Sequence, residues 1–154
     1  MTRDVLISIS GAQIVEEDNQ AVEMITRGDY FLKNGSHYIL YDEVQEGVEG
    51  VTRNTIKIHR SGMDIIKRGS TSVHMTFEKE KKNISCYATP FGELMIGIRT
   101  NDIRIAEEED RLKVQVDYTL DINYQHVSEC NIVLEVCSKD TANIHLHRFC
   151  IDQT

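Results

Sequence analysis

Leu112-Lys113-Val114-Gln115-Val116-Asp117-Tyr118-Thr119-Leu120-Asp121-Ile122 decides the fold class. Six apolar residues hold the even positions and five polar residues the odd ones. Successive side chains of a strand point to opposite faces, so the stretch predicts one strand with a dry and a wet side. On a helix the same apolar residues would scatter around the whole circumference.

The alternation recurs on both sides of this strand. Val5, Ile7 and Ile9 begin it, and Val22, Met24, Thr26, Gly28, Tyr30 and Leu32 continue it. Tyr38, Leu40 and Val44 are read as the next dry face, followed by Ile56 with Ile58, Met63 with Ile65, and Val73, Met75 and Phe77. Leu94, Ile96 and Ile98 are even, whereas Ile103 and Ile105 are odd, so a bulge is expected near Asn101-Asp102. Cys130, Ile132, Leu134 and Val136 form the last dry face.

Turn chemistry separates these runs. Asn34-Gly35 suits a tight hairpin, and Thr89-Pro90-Phe91-Gly92 has Pro and Gly where a type I turn favours them. Further breaks fall at Glu16 to Asn19, Gly47 to Gly50, Arg60-Ser61-Gly62 and Gly69-Ser70. Ala12 to Ile25 has a rival helical reading through Ile14, Val15, Val22 and Ile25, against the polar break in its middle. Regular short strands with tight turns and no clear helix predict an all-β chain, an antiparallel barrel or sandwich. The alternation defines one domain over 1–137, and 138–154 reads as a tail of uncertain structure.

Composition narrows the function classes. The 154 residues are enough for one domain with a core that needs no staples. Seventeen Lys and Arg against 25 Asp and Glu give a net charge of −8, which argues against nucleic acid as a partner. The cluster Lys79 to Lys82 contains Glu80 and does not reverse that argument. No stretch approaches the ~20 apolar residues that span a bilayer. The N-terminus lacks the pattern of a secretory signal, so a cytoplasmic chain is expected. Its cysteines (Cys86, Cys130, Cys137, Cys150) then read as free, mostly buried thiols, and Asn34-Gly35-Ser36 and Asn83-Ile84-Ser85 as turns or strand starts without glycan.

Several segments together resemble the YwiB-like family of small bacterial β-barrels, a calycin-like family without an assigned function. They are Ile25-Thr26-Arg27-Gly28-Asp29-Tyr30, Ile39-Leu40-Tyr41-Asp42-Glu43, Thr55-Ile56-Lys57-Ile58 and Ile65-Ile66-Lys67-Arg68-Gly69-Ser70 with Met75-Thr76-Phe77-Glu78. Cys86-Tyr87-Ala88-Thr89-Pro90-Phe91-Gly92-Glu93-Leu94 is the most specific, and the shared order covers residues 3–137. The resemblance implies an antiparallel calycin- or lipocalin-like β-barrel of about 8–10 strands. It implies no activity, and nothing carries over to the tail residues His145, His147 and Cys150.

No motif of a nucleophile elbow, P-loop, zinc protease or dinucleotide loop is present, and no enzymatic activity or cofactor is expected. His145-Leu146-His147 with Cys150 could hold a metal on one strand face, but a surface tail is the preferred reading, and no metal is expected. His37, His59, His74 and His126 each stand alone in the sequence. The polar residues of the family-like segments carry the functional reading. If Tyr41, Glu43, Arg68, Tyr87 and Thr89 share a lumen or its mouth, they make a site for a small polar or anionic ligand, with Glu43 as partner for a buried Arg68. The other reading is an internal ion pair and girdle, or plain solvent exposure, in a structural or protein-interaction barrel, with homodimerisation through an open edge strand as one form of it. Turn polarity adds that acidic breaks (Glu16 to Asn19, Glu46, Glu49) fall at one barrel end and basic ones (Lys33, Arg60, Lys79 to Lys82) at the other. Glu107 to Asp110 fits this only with a different strand count.

Overall fold

The structure, a computed structural model, describes residues 1, 3–12, 21–44, 49–69 and 72–139. The strands are β1 (Asp4–Ala12), β2 (Ala21–Lys33), β3 (Ser36–Glu43), β4 (Thr52–His59) and β5 (Gly62–Arg68). They continue with β6 (Val73–Glu78), β7 (Lys82–Thr89), β8 (Gly92–Glu107), β9 (Arg111–Ile122) and β10 (Gln125–Ser138). All pair antiparallel in one ten-stranded sheet of order β6-β5-β4-β3-β2-β1-β10-β9-β8-β7. Chain neighbours are therefore sheet neighbours everywhere except at β6/β7, and β1 pairs with β10, from Val5 opposite Ser138 to Gly11 opposite Ile132. The sheet curls into a nearly closed barrel, because its end strands β6 and β7 meet.

That seam is not a full ladder. Ser72 and Ala88 exchange backbone bonds of 2.9 and 2.8 Å, forming a single bridge. Beyond it, side chains of β7 take over: the Ser85 hydroxyl donates to the His74 carbonyl, and Asn83 Nδ2 donates to the Thr76 carbonyl at 3.4 Å. Side-chain donors here satisfy carbonyls that a ladder would otherwise use.

Inside, the predicted dry face of β9 is the core. Leu112, Val114, Val116, Tyr118 and Leu120 are all buried. Ile7, Ile39, Ile56, Ile58, Met63 and Phe77 approach from the opposite wall, with Phe77 edge-on to Tyr118 at 5.2 Å between ring centroids. Each such large side chain contributes about 1.5–3 kcal/mol on burial, so the packed interior is the main support of the fold.

The expected bulge is present: Thr100 pairs with Tyr118 and Asp102 with Asp117, leaving Asn101 unmatched. It moves the inward parity of β8 from Ile96 and Ile98 to Ile103 and Ile105. The dry face read for β3 is corrected: Ile39 and Tyr41 are buried, and Tyr38 and Leu40 stand on the outer side. The cause is the two-residue turn, with Asn34 at φ 53° and Gly35 at φ 78°, which pairs Lys33 with Ser36 and Tyr30 with Ile39. Even positions of β2 thus face odd positions of β3.

The described ends of the rival helix, Ala12 and Ala21 to Ile25, are strand, and its middle lies outside the described residues. Strand β10 ends at Ser138, and 140–154 lie outside the described residues. Among the described residues no helix is long and apolar enough to cross a membrane.

Candidate functional site

One mouth of the barrel is formed by the C-terminal ends of β3, β5 and β7 and the N-terminal end of β4. Inward parity carries the polar ends of these strands there. In β3 the inward series Ile39, Tyr41 ends on Glu43, and in β5 the series Met63, Ile65 ends on Lys67. In β4, Thr52 and Asn54 precede Ile56 on the inward side and are buried.

The structure joins these residues around Glu43. Lys67 Nζ lies 3.0 Å from Glu43 Oε1, an ion pair whose side chains are 20% and 26% exposed. Asn54 Nδ2 donates to the same oxygen at 3.3 Å and to the Thr52 carbonyl at 3.4 Å. Asn54 is wholly buried, yet its Oδ1 has no hydrogen-bond partner among the described residues. An amide oxygen left so costs on the order of 1–3 kcal/mol. Tyr41 is buried, and burial followed by the nearby Glu43 charge holds its hydroxyl above the usual phenol range. The same two causes, in the same order, raise Tyr87. Both phenols therefore remain protonated donors at neutral pH.

Of the residues singled out in the sequence, Tyr41, Glu43 and Tyr87 come together. Arg68 does not: it is exposed, because it follows inward Lys67 by one position. Lys67, not Arg68, is the partner of Glu43. The side chain of Thr89 lies outside the described residues, while its backbone pairs with Gly92. Asn54 and Lys67 were legible only as continuations of the inward parity of β4 and β5.

The opposite mouth holds a cleft of about 540 Å³ lined by His37, Ile58, His59, Arg60, Ile105 and Glu107. His37 lies between Tyr30 and Glu107, with its Nδ1 2.7 Å from the Tyr30 hydroxyl and its Nε2 2.8 Å from Glu107 Oε1. The histidines that stand alone in sequence are thus engaged in space. His59 and His74 likewise meet Asp64, at 3.3 and 3.1 Å. The turns after Lys33 and His59 fall at one end, as expected, and Glu107 shares that end, so it carries both signs rather than a basic one. The acidic breaks expected for the other end, at Glu16 and Glu46, lie outside the described residues.

No three His, Cys, Asp or Glu side chains among the described residues are grouped to hold a metal, and His145, His147 and Cys150 lie outside them. Cys130 and Cys137 are free and buried as expected, whereas Cys86 is free and exposed, since even positions of β7 face outward.

The family described as a domain of unknown function (DUF1934) matches residues 7–134. The crystal structure of the YwiB protein from Bacillus subtilis is similar, with a TM-score of 0.76 and 18% identity over 88% of this chain and 92% of that one. At that identity the likeness shows the fold, and it agrees with the resemblance read from the strand segments. No curated protein matches the sequence.

Proposed function

We propose, from the premise that the chain belongs to the DUF1934 family, that it is a non-enzymatic cytoplasmic module that binds a small polar molecule at the Glu43–Lys67 mouth. The observation that carries this reading is Asn54, fully buried with an acceptor unused among the described residues, beside a half-buried ion pair. A donor group on a ligand would relieve that acceptor, and the Tyr41 and Tyr87 hydroxyls offer donors in return. Glu43 already neutralises Lys67, and Arg68 is exposed on the outer side, so among the described residues an anion finds no unopposed cation here. Neutral or zwitterionic ligands rich in hydroxyl or amine groups fit better than the anionic class.

The reading is tested by native mass spectrometry of the purified protein before and after denaturation, repeated on Asn54→Leu. Support is a mass excess that denaturation removes and that the variant lacks while still folding. A bare wild-type mass, together with no rise in Tm from a panel of polyols and amino acids, would sink it.

A second reading is a structural or protein-interaction barrel, favoured by the apolar core that fills the middle of the interior. It expects the mouth residues to matter for stability alone. Homodimerisation through an open edge is the weaker form of this reading, because the edges of β6 and β7 are turned onto each other.

A further inference from the structure

The outer face of β2–β4 has a sign of charge opposite to that of the chain. Around the strip Phe31, Tyr38 and Leu40 stand Arg3, Arg27, Lys33, Arg53 and Lys57, against Asp4, Asp29 and Asp42, in a chain of net charge −8. Arg53 meets Asp42 at 3.4 Å with both side chains largely exposed. Arg3, Arg27, Lys33 and Lys57 form no ion pair with a described residue. Lysines on the opposite wall do pair, Lys82 with Asp121 at 2.6 Å and Lys113 with Glu135 at 3.6 Å. Arg60, Arg68 and Arg99 also lack an ion pair with a described residue, but they stand on separate elements, whereas four such cations surround one strip on the outer face of β2–β4.

The same face carries apolar surface and a split in the sheet. Phe31, Lys33, Tyr38, Leu40 and Thr55 line a depression of about 270 Å³. Leu40 also borders a second cleft, of about 460 Å³, whose rim includes Arg27, Asp29, Asp42 and Arg53. This cleft lies where β2 and β3 part, for their ladder covers only Asp29 to Lys33 opposite Leu40 to Ser36. In a two-residue hairpin the closing pair is hydrogen-bonded, and bonded pairs then alternate. Counting from Lys33 and Ser36, the backbone groups of Arg27 and Asp42 aim into the split with no strand partner among the described residues.

We propose that this face docks an extended, acidic segment of another protein. An apolar side chain of the segment fills the Phe31–Tyr38–Leu40 depression, its carboxylates meet Lys33, Lys57 and Arg53, and its backbone pairs with β2 at Arg27, replacing the 3.5 Å bond that the Thr26 hydroxyl donates to the Arg27 carbonyl. Nucleic acid is the poorer occupant. Both rings are already covered by the chain's own cations, Arg3 at 4.7 Å from the Phe31 centroid and Lys57 at 5.6 Å from that of Tyr38, and Asp29 and Asp42 would repel phosphates.

The test is fluorescence anisotropy with a labelled peptide of about eight residues alternating Glu with Leu, and its Lys-for-Glu counterpart as control. The acidic peptide is expected to saturate the protein, to weaken when NaCl rises from about 50 to about 300 mM, and to bind at least about tenfold more weakly to Lys33→Glu/Lys57→Glu. Both substitutions are on the surface, and an unchanged Tm shows that the variant folds. Asn54→Leu is expected to bind the peptide as wild type, which separates this face from the mouth site. Equal binding of the basic peptide, no saturable binding, or full affinity in the double variant overturns the proposal. So does saturable binding of an oligouridine in place of the peptide, or a dimer that the double variant dissolves.

Discussion

Glu43 accepts a hydrogen bond from Lys67 across 3.0 Å, joining β3 to β5 over the top of β4, which separates them in the sheet. The pair is half-buried, so its worth lies between that of an exposed bridge and that of a buried one. Lys67→Met is expected to cost about 1–2 kcal/mol by leaving Glu43 and Asn54 in a desolvated mouth without the cation. Adding Glu43→Gln is expected to restore much of that loss. Urea unfolding of the two single variants and the double variant measures the coupling, and strict additivity would refute it.

The Asp64 carboxyl gives the clearest pH signature. Burial on its own raises it, but hydrogen bonds from Thr76 and His74 and the charges of His74 and His59 prevail and leave it lowered. Thr76 donates at 2.8 Å. A carboxyl depressed in the folded state adds stability that is present above its unfolded value and lost as pH falls through its folded value. Asp64→Asn is therefore expected to lower stability by about 1–2 kcal/mol at neutral pH, with the deficit shrinking below about pH 4. Urea midpoints of both proteins across that range check the sign, and a deficit that grows in acid would contradict it.

Gly28 marks where β2 and β3 cross before they part. A Cβ there would overlap the Leu40 carbonyl oxygen and lie 2.6 Å from Ile7 Cδ1 and 3.3 Å from Tyr41 Cβ. Gly28→Ala is expected to destabilise by about 1–3 kcal/mol through overpacking, because two of the obstacles are backbone and a buried side chain. Gly35→Ala meets no such atoms but holds a left-handed conformation at φ 78°, so its cost comes from the turn itself. Thermal melts of both variants, with the peptide-binding assay on Gly28→Ala, separate packing from turn strain.

The seam predicts an uneven pattern of opening. With one backbone bridge at Ser72–Ala88 and side-chain donors beyond it, β7 is expected to exchange its amide hydrogens faster than β9, which has full ladders to β8 and β10. Ser85→Ala is expected to widen the difference while costing only about 0.5–1 kcal/mol, since the site is exposed. Hydrogen exchange read by mass spectrometry resolves the two strands, and equal protection would show that the seam is as firm as the rest.

Much of the architecture was legible because a strand writes its faces into the sequence with a period of two. The alternation at 112–122 and the parity change around Asn101 each required only the residues themselves. Tyr38 and Leu40 misled because either parity of β3 is apolar: Ile39 and Tyr41 serve as well as Tyr38, Leu40 and Val44. The choice belonged to the Asn34-Gly35 turn, which fixes the register to β2. The site divided in the same way. Extending the parity from Met63 and Ile65 places Lys67 inside and Arg68 outside, so the pairing of Glu43 with Arg68 expected from the sequence fails on the parity of β5.

The sequence by itself determined the all-β class, the meander of short strands, the bulge, and the apolar wall of β9, since all of these depend on local periodicity and turn chemistry. Only the tertiary structure decided that β6 and β7 meet at a thin seam and that Glu43 takes Lys67. It alone showed that His37 spans Tyr30 and Glu107, residues separated from it by 7 and 70 positions. Curling a sheet brings together strands that are far apart in the chain, and no periodicity within a strand records which distant side chain will stand opposite.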